Sequence, residues 1–193
     1  MRTPERLAKV NRVLSFRQPD LHVVLEQVVN PHNASAVLRT CDAAGVLHVD
    51  IIGSDQDPLP LNSAITTRAD KWLNLRFHPT TEACLARLRD EGVVIAATHL
   101  GDDAIPYTSF DFTRPTAVVF GGEHVGTSAQ AVAMADARIK IPMLGMVQSL
   151  NLSVSVGIIL YEAVRQRLGA GFFDRPRLSP NELEDYLDTW SDL

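Results

Sequence analysis

Between His22 and Leu168 short apolar runs alternate with helix-patterned segments, and this alternation restricts the fold more than any other feature of the chain. His22 to Val29, Val46 to Ile52, Lys71 to Phe77, Val93 to Thr98, Thr116 to Phe120 and Ile139 to Ile141 read as strands. Between them, helices are expected from an N-cap at Asn33 to a C′ glycine at Gly45, and over Thr80 to Glu91, Ser128 to Ala135 and Leu150 to Leu168. Residues 53–70 and 101–115 read as loops, the first with a short helix. Such an order predicts an α/β fold, a mostly parallel sheet with helices on both faces. Two amphipathic helices flank it. One covers residues 4–16, with Leu7, Val10, Val13 and Leu14 on one face. The other covers residues 179–190, with Leu183, Tyr186, Leu187 and Trp190 on one side. A chain of 193 residues fits one domain with short appendages. The expected division is an N-terminal helical extension over 1–20, a central domain over 21–168 and a C-terminal extension over 169–193.

Three strand–helix junctions stand out. Asn30 to Gly45, Val118 to Gly126 and Ile141 to Ser155 each place glycine or uncharged polar residues where a strand gives way to a helix. Ligand sites of α/β proteins are built at such junctions, where backbone N–H groups and short side chains converge. Gly121-Gly122-Glu123 allows close backbone approach to a ligand, but lacks both the P-loop lysine and the dinucleotide Gly-x-Gly-x-x-Gly spacing. Taken alone it fits a plain tight turn equally well. Met143, Leu144, Met146 and Val147 form an apolar run where a loop should be polar, as if enclosing a flat ring or facing a partner subunit. Ser149 and Asn151 can cap the helix that follows or hold a ligand. Arg39 lies in a helix rich in small and apolar residues and needs an anionic partner, for which Asp42 or Glu123 is the simple structural choice. It stands six residues, and so about 120° around the helix, from Asn33.

The formal net charge of −5 argues against a nucleic-acid partner, but its distribution does not. Arg2, Arg6, Lys9, Arg12 and Arg17 face Glu5 alone in the first seventeen residues, and Arg165, Arg167, Arg175 and Arg177 cluster near the end. Local basic patches of this kind suit phosphate, although solvated helix faces explain them as well. The six histidines show no zinc-ligand spacing, so no metal is expected. No apolar run is long enough for a membrane span, and the N-terminal residues carry too many charges for a signal peptide. With only Cys41 and Cys84, a reducing, cytoplasmic setting is expected.

In this order the three segments resemble the motifs of the SPOUT-class RNA 2′-O-methyltransferases, and most closely the TrmH-type tRNA guanosine methyltransferases. The resemblance covers nearly the whole chain. It implies a deep trefoil knot on the C-terminal side of the sheet, a homodimer and S-adenosyl-L-methionine as cofactor. It places the cofactor against Thr98, Leu100, Gly121, Gly122, Ile141, Met143 and Leu150. Arg39 becomes the catalytic residue acting on a ribose 2′-hydroxyl, with Asn33, Glu123, Ser149 and Asn151 shaping the site around it. Because the pKa of arginine exceeds about 12, orientation and stabilisation of a developing alkoxide are as physical a role as proton abstraction. tRNA contacts fall to Arg6, Lys9, Arg12, Arg17, His32, Arg165, Arg167, Arg175 and Arg177. The implied activity is 2′-O-methylation of the D-loop guanosine 18 of tRNA. Alternatives are another tRNA or rRNA ribose, or an RNA-binding protein without methyl transfer. The last would predict loss of Arg39, Glu123 or Asn151, and all three are present.

Overall fold

The computed structural model describes residues 3–53, 69–123 and 125–192. In chain order the elements are α1 (Pro4–Leu14), β1 (Gln18–Glu26), α2 (Pro31–Ala43), β2 (Val46–Ile52), a 3₁₀ turn (Ala69–Trp72), β3 (Asn74–His78), α3 (Thr81–Asp90) and β4 (Val94–Thr98). There follow β5 (Ile105–Pro106), a second 3₁₀ turn (Tyr107–Ser109), β6 (Thr116–Gly121), α4 (Ala129–Met134), β7 (Ala137–Lys140), α5 (Leu152–Gly169) and α6 (Pro180–Ser191). The strands form one sheet in the order β3-β2-β1-β6-β4-β7-β5, and every pairing is parallel. This is the expected α/β architecture.

Both faces of the sheet are covered, which is why its strands read as continuous apolar runs rather than alternating ones. On one face Leu21, Val23 and Leu25 pack with Val37, Leu38 and Cys41 of α2 and Val156, Ile159 and Leu160 of α5. On the other, Val24, Ile95, Ala97, Ala117 and Val119 pack with Cys84, Leu85 and Leu88 of α3 and Ala131 of α4. A third cluster joins the termini: Val10 and Leu14 of α1 meet Leu178 and Trp190 over Leu47. Each large aliphatic side chain so buried contributes about 1.5–3 kcal/mol.

Several boundaries differ from the sequence expectation, each for a local reason. β1 starts at Gln18, whose N–H donates to the carbonyl of Gly45. It stops at Glu26 because Gln27 turns left-handed at φ 54°. The cap of α2 is Asn30, not Asn33: its side chain accepts from the N–H groups of His32 and Asn33. Pro31 lacks an N–H and suits the first helical position, so the helix begins one turn early. Gly45 is left-handed after that helix, as expected. Lys71 lies in a 3₁₀ turn, so β3 begins only at Asn74. The supposed loop 101–115 contains β5 and a 3₁₀ turn. Of the expected loop 53–70, residues 54–68 lie outside the described residues.

Candidate active site

All strands point the same way, so their carboxyl ends share one rim, and the segments following β4, β6 and β7 meet there. They enclose a cavity of about 430 Å³, within the roughly 300–1,000 Å³ usual for small-molecule sites. Thr98, Leu100, Gly121, Gly122, Ile141, Met143 and Leu150 all line it, together with Glu123 and Ser149. The segment 121–127 closes on itself through a bridge between Gly122 and Gly126. A Cβ on Gly121 would lie 1.9 Å from the Gly126 carbonyl carbon, and one on Gly122 would lie 2.3 Å from the Gln27 oxygen. Real Cβ atoms never approach so closely, so this wall requires its glycine pair. Thr98 Oγ1 reaches Thr127 Oγ1 at 3.0 Å and the Val119 carbonyl at 2.9 Å, fastening the first wall to the second.

Beside the cavity three distant segments are joined by one asparagine. Released from capping, Asn33 donates its amide to Glu123 Oε1 at 2.8 Å. Its carbonyl oxygen accepts from the Asn151 amide at 3.0 Å. Asn151 is at the same time the N-cap of α5, accepting from the N–H and hydroxyl of Ser153 at 2.9 and 2.7 Å. Capping and site-building are thus one role for this residue. Burial disfavours the charge of Glu123, but the Asn33 amide and nearby backbone N–H groups outweigh it and hold its pKa below the ordinary range.

Arg39 is exposed and does not line the cavity. It sits six residues beyond Asn33, about 9 Å along the helix axis. Neither expected partner holds it: Asp42 pairs with Arg17, and Glu123 bonds Asn33. Among the described residues nothing pairs with the Arg39 guanidinium, so a cation stands free on the helix that carries Asn33.

Residues 20–161 match the SpoU rRNA Methylase family. The chain belongs to this family. A relative from Thermus thermophilus named tRNA (guanosine(18)-2′-O)-methyltransferase is 48% identical over 189 residues, covering 98% of this chain and 97% of the relative. The crystal structure of the A. aeolicus TrmH/SpoU tRNA modifying enzyme superposes with a TM-score of 0.92 at 40% identity, covering 97% of this chain and 95% of that one. The SpoU methyltransferase AviRb from Streptomyces viridochromogenes, solved in complex with the cofactor AdoMet, gives a TM-score of 0.68 at 28% identity, covering 79% and 62%.

Two residues assigned to tRNA in this SpoU-family chain cannot make that contact as they stand. Arg167 is fully buried: it donates to the Phe112 carbonyl at 2.9 Å, the Arg114 carbonyl at 3.1 Å and Asp20 Oδ1 at 2.6 Å. Arg17 is 1% exposed and is held by the Asp42 carboxylate, its carbonyl and the Val46 carbonyl. Both lock the terminal extensions onto the sheet, because a guanidinium in this position satisfies several carbonyls at once. Arg177 is also engaged, with Asp20 at 2.9 Å and over the Phe172 ring at 4.2 Å, but remains partly accessible. Lys9, Arg12, His32, Arg165 and Arg175 are exposed. Arg6 is half-buried and lines a second cavity of about 250 Å³ with Lys9 and Trp72.

Away from the rim, β1, β2 and β3 bring together groups that looked scattered in the sequence. Buried Asp50 accepts from His22 Nδ1 at 3.0 Å, His78 Nε2 at 2.8 Å and Arg87 at 3.4 Å. Possible metal-ligating atoms of Asp50, His78 and Cys84 lie within 4.8 Å of one another. The same carboxylate thus carries donors from one guanidinium and two imidazoles. Cys41 and Cys84 are free and buried, and burial pushes the Cys84 thiol up to about 12. No helix among the described residues is long and apolar enough to cross a membrane.

Proposed function

We propose that this protein is an S-adenosyl-L-methionine-dependent tRNA (guanosine-2′-O-)-methyltransferase acting on guanosine 18 of the D-loop. One observation carries the reading: three loops build a single cavity, and the Asn151–Asn33–Glu123 chain stands at its edge. The cavity walls fit the cofactor. Leu100, Ile141, Met143 and Leu150 offer apolar surface for a flat ring, and Glu123 offers a carboxylate whose charged form is favoured. Such a donor set suits a cationic, ring-bearing ligand.

When bound, S-adenosyl-L-methionine supplies an electrophilic methyl group. The residues of the chain bind, orient and exclude water. Asn33 and Asn151 fix the helix α2 against the start of α5, and so set where Arg39 stands relative to the cavity. Arg39 orients the ribose 2′-oxygen and stabilises its developing negative charge, a part for which a permanent cation is better suited than for proton abstraction. Ser149 at the cavity wall faces the same region. Lys9, Arg12, His32, Arg165 and Arg175 contact the tRNA backbone, assisted by Arg6 and Arg177, with the extensions 1–20 and 169–193 serving as its docking arms.

The reading includes a homodimer and the trefoil knot. Leu144 and Met146 are 98% and 100% exposed beside the cavity, and Val125 and Val147 are exposed with them. Apolar exposure on that scale fits a face covered by a second copy. The setting proposed is cytoplasmic, where tRNA is modified.

A transcript carrying 2′-deoxyguanosine at the D-loop position tests the acceptor. Methyl incorporation into the all-ribose transcript and none into the deoxy transcript is the expected result. Equal incorporation into both would place the methyl elsewhere.

A further inference from the structure

Glu26 ends β1 and is 1% exposed, yet it belongs to neither the cavity wall nor the asparagine chain. A buried carboxyl group is expensive unless it is fully bonded, and this one is. Its Oε1 accepts from the Thr81 hydroxyl at 2.6 Å and the Ser128 hydroxyl at 2.7 Å, and its Oε2 accepts from the Ser128 N–H at 2.8 Å. Thr81 opens α3 and Ser128 is the N-cap of α4, so one side chain ties together two helix starts at the carboxyl rim of the sheet.

The next residue acts on the same loop from the other side. Gln27 is the one non-glycine residue with positive φ among the described residues, and its N–H donates to the Ile52 carbonyl at 3.1 Å. That turn aims its carbonyl at Gly122, where a Cβ would lie only 2.3 Å away. Consecutive residues therefore hold both ends of the segment 122–128: the Gln27 carbonyl beneath Gly122, and the Glu26 carboxyl group on Ser128. Between these two points lie Glu123, Val125 and Thr127, which line the cavity.

We infer that Glu26 is a positioning residue for cofactor binding, fixing the 121–128 wall through Ser128. This inference rests on the cofactor reading above. Its bonds divide cleanly: the two to Ser128 bear on the wall, and the one to Thr81 bears only on α3. A merely structural role would make all three equivalent, and a positioning role would not.

The test uses the full-length protein and S-adenosylhomocysteine as the titrated probe, with thermal unfolding recorded in parallel. Glu26→Gln keeps the shape but turns a donor toward donors, and should weaken binding about tenfold. Ser128→Ala should weaken it roughly three- to fivefold, and Thr81→Ala less than about twofold despite a similar loss of thermal stability. Affinity of Glu26→Gln within about twofold of wild type would overturn the inference, as would a Thr81→Ala variant that loses as much affinity as Glu26→Gln. If Glu26→Gln does not fold, the contrast between Ser128→Ala and Thr81→Ala decides alone. Failure of the wild-type chain to bind the probe would instead remove the cofactor reading, and this inference with it.

Discussion

Asn33 uses both ends of its side-chain amide, giving a hydrogen bond to Glu123 at 2.8 Å and accepting one from Asn151 at 3.0 Å. Asn33 lies 90 and 118 positions from its two partners in sequence, and this asparagine is where helix α2, the glycine loop and the last strand–helix junction become one site. Asn33→Asp removes the donor and sets a second carboxylate beside Glu123, so the pair repels. Turnover should fall about 100-fold, the usual scale for misplacing a reacting group by an ångström. Steady-state methyl transfer by the variant checks this, and a change of less than about threefold would contradict the positioning role.

Among the described residues, Arg39 is the cation left without a partner on that helix. Arg39→Ala should abolish methyl transfer and leave S-adenosylhomocysteine affinity within about threefold, because the residue does not line the cavity. Lysine should not restore activity, since it lacks the planar fork of arginine. Single-turnover assays beside calorimetric titration separate the two effects.

Arg167 and Arg165 stand two residues apart and should behave as opposites. Arg167 is buried, and removing it takes a charged donor from Asp20 Oδ1 and from the Phe112 and Arg114 carbonyls at once, while Arg177 holds only the other carboxylate oxygen. Arg167→Ala should cost roughly 3–5 kcal/mol in urea unfolding, the scale for breaking a buried pair from one side. Arg165 is exposed and, among the described residues, pairs only with Glu162 on its own helix. Arg165→Ala should leave the unfolding midpoint in place and flatten the salt dependence of tRNA binding by about one unit of slope.

Acid should destabilise the fold through His48 and Asp50. Burial pushes the His48 pKa down to about 3 from 6.5, with Arg76 adding to the effect. The unfolded chain therefore takes up a proton at this residue before the folded one does. Its contribution is complete above 6.5 and is lost as the pH falls from 6.5 to about 3. At Asp50 burial opposes charge, but the bonds from His22 and His78 outweigh it and lower the pKa below 3.8. That contribution is present above the ordinary value and is lost as the pH falls through the folded one, so both act in the same direction. Urea midpoints at about pH 7 and about pH 4.5 should differ more for wild type than for His48→Gln. An equal difference would contradict the assignment.

The exposed Leu144 and Met146 give a prediction about assembly. Met146→Glu puts a charge where the proposed second copy would sit, and should shift sedimentation from dimer to monomer. A monomeric wild-type protein at micromolar concentration would exclude the dimer.

Much of this was legible in the sequence because parallel strands buried on both faces read as apolar runs with turns between them. Val46–Ile52 appears in the structure with the boundaries expected of it. The cavity loops were legible for a different reason: the glycine pair alone fits a plain turn, but the apolar run Met143, Leu144, Met146 and Val147 makes little sense in an ordinary loop. The N-cap of α2 was misread because Asn30 and Asn33 are equivalent as residue types, and only Pro31 between them decides which caps. Arg17 and Arg167 were misread because a basic residue near a terminus looks like phosphate-binding surface until its carbonyl partners, from segments far away in sequence, are in place. The pairing of Asp50 with His22 and His78 depends on the order β3-β2-β1, which periodicity does not encode. Glu26 was hidden in the same way, since its partners Thr81 and Ser128 start helices 55 and 102 residues further on.

The most direct test of the central claim is methyl transfer from radiolabelled S-adenosyl-L-methionine to unmodified tRNA transcript, with the labelled nucleoside mapped. The account predicts label as 2′-O-methylguanosine at position 18 of the D-loop, the position printed in the name of the Thermus thermophilus relative. Label on an rRNA fragment but not on tRNA, or on neither, would contradict it.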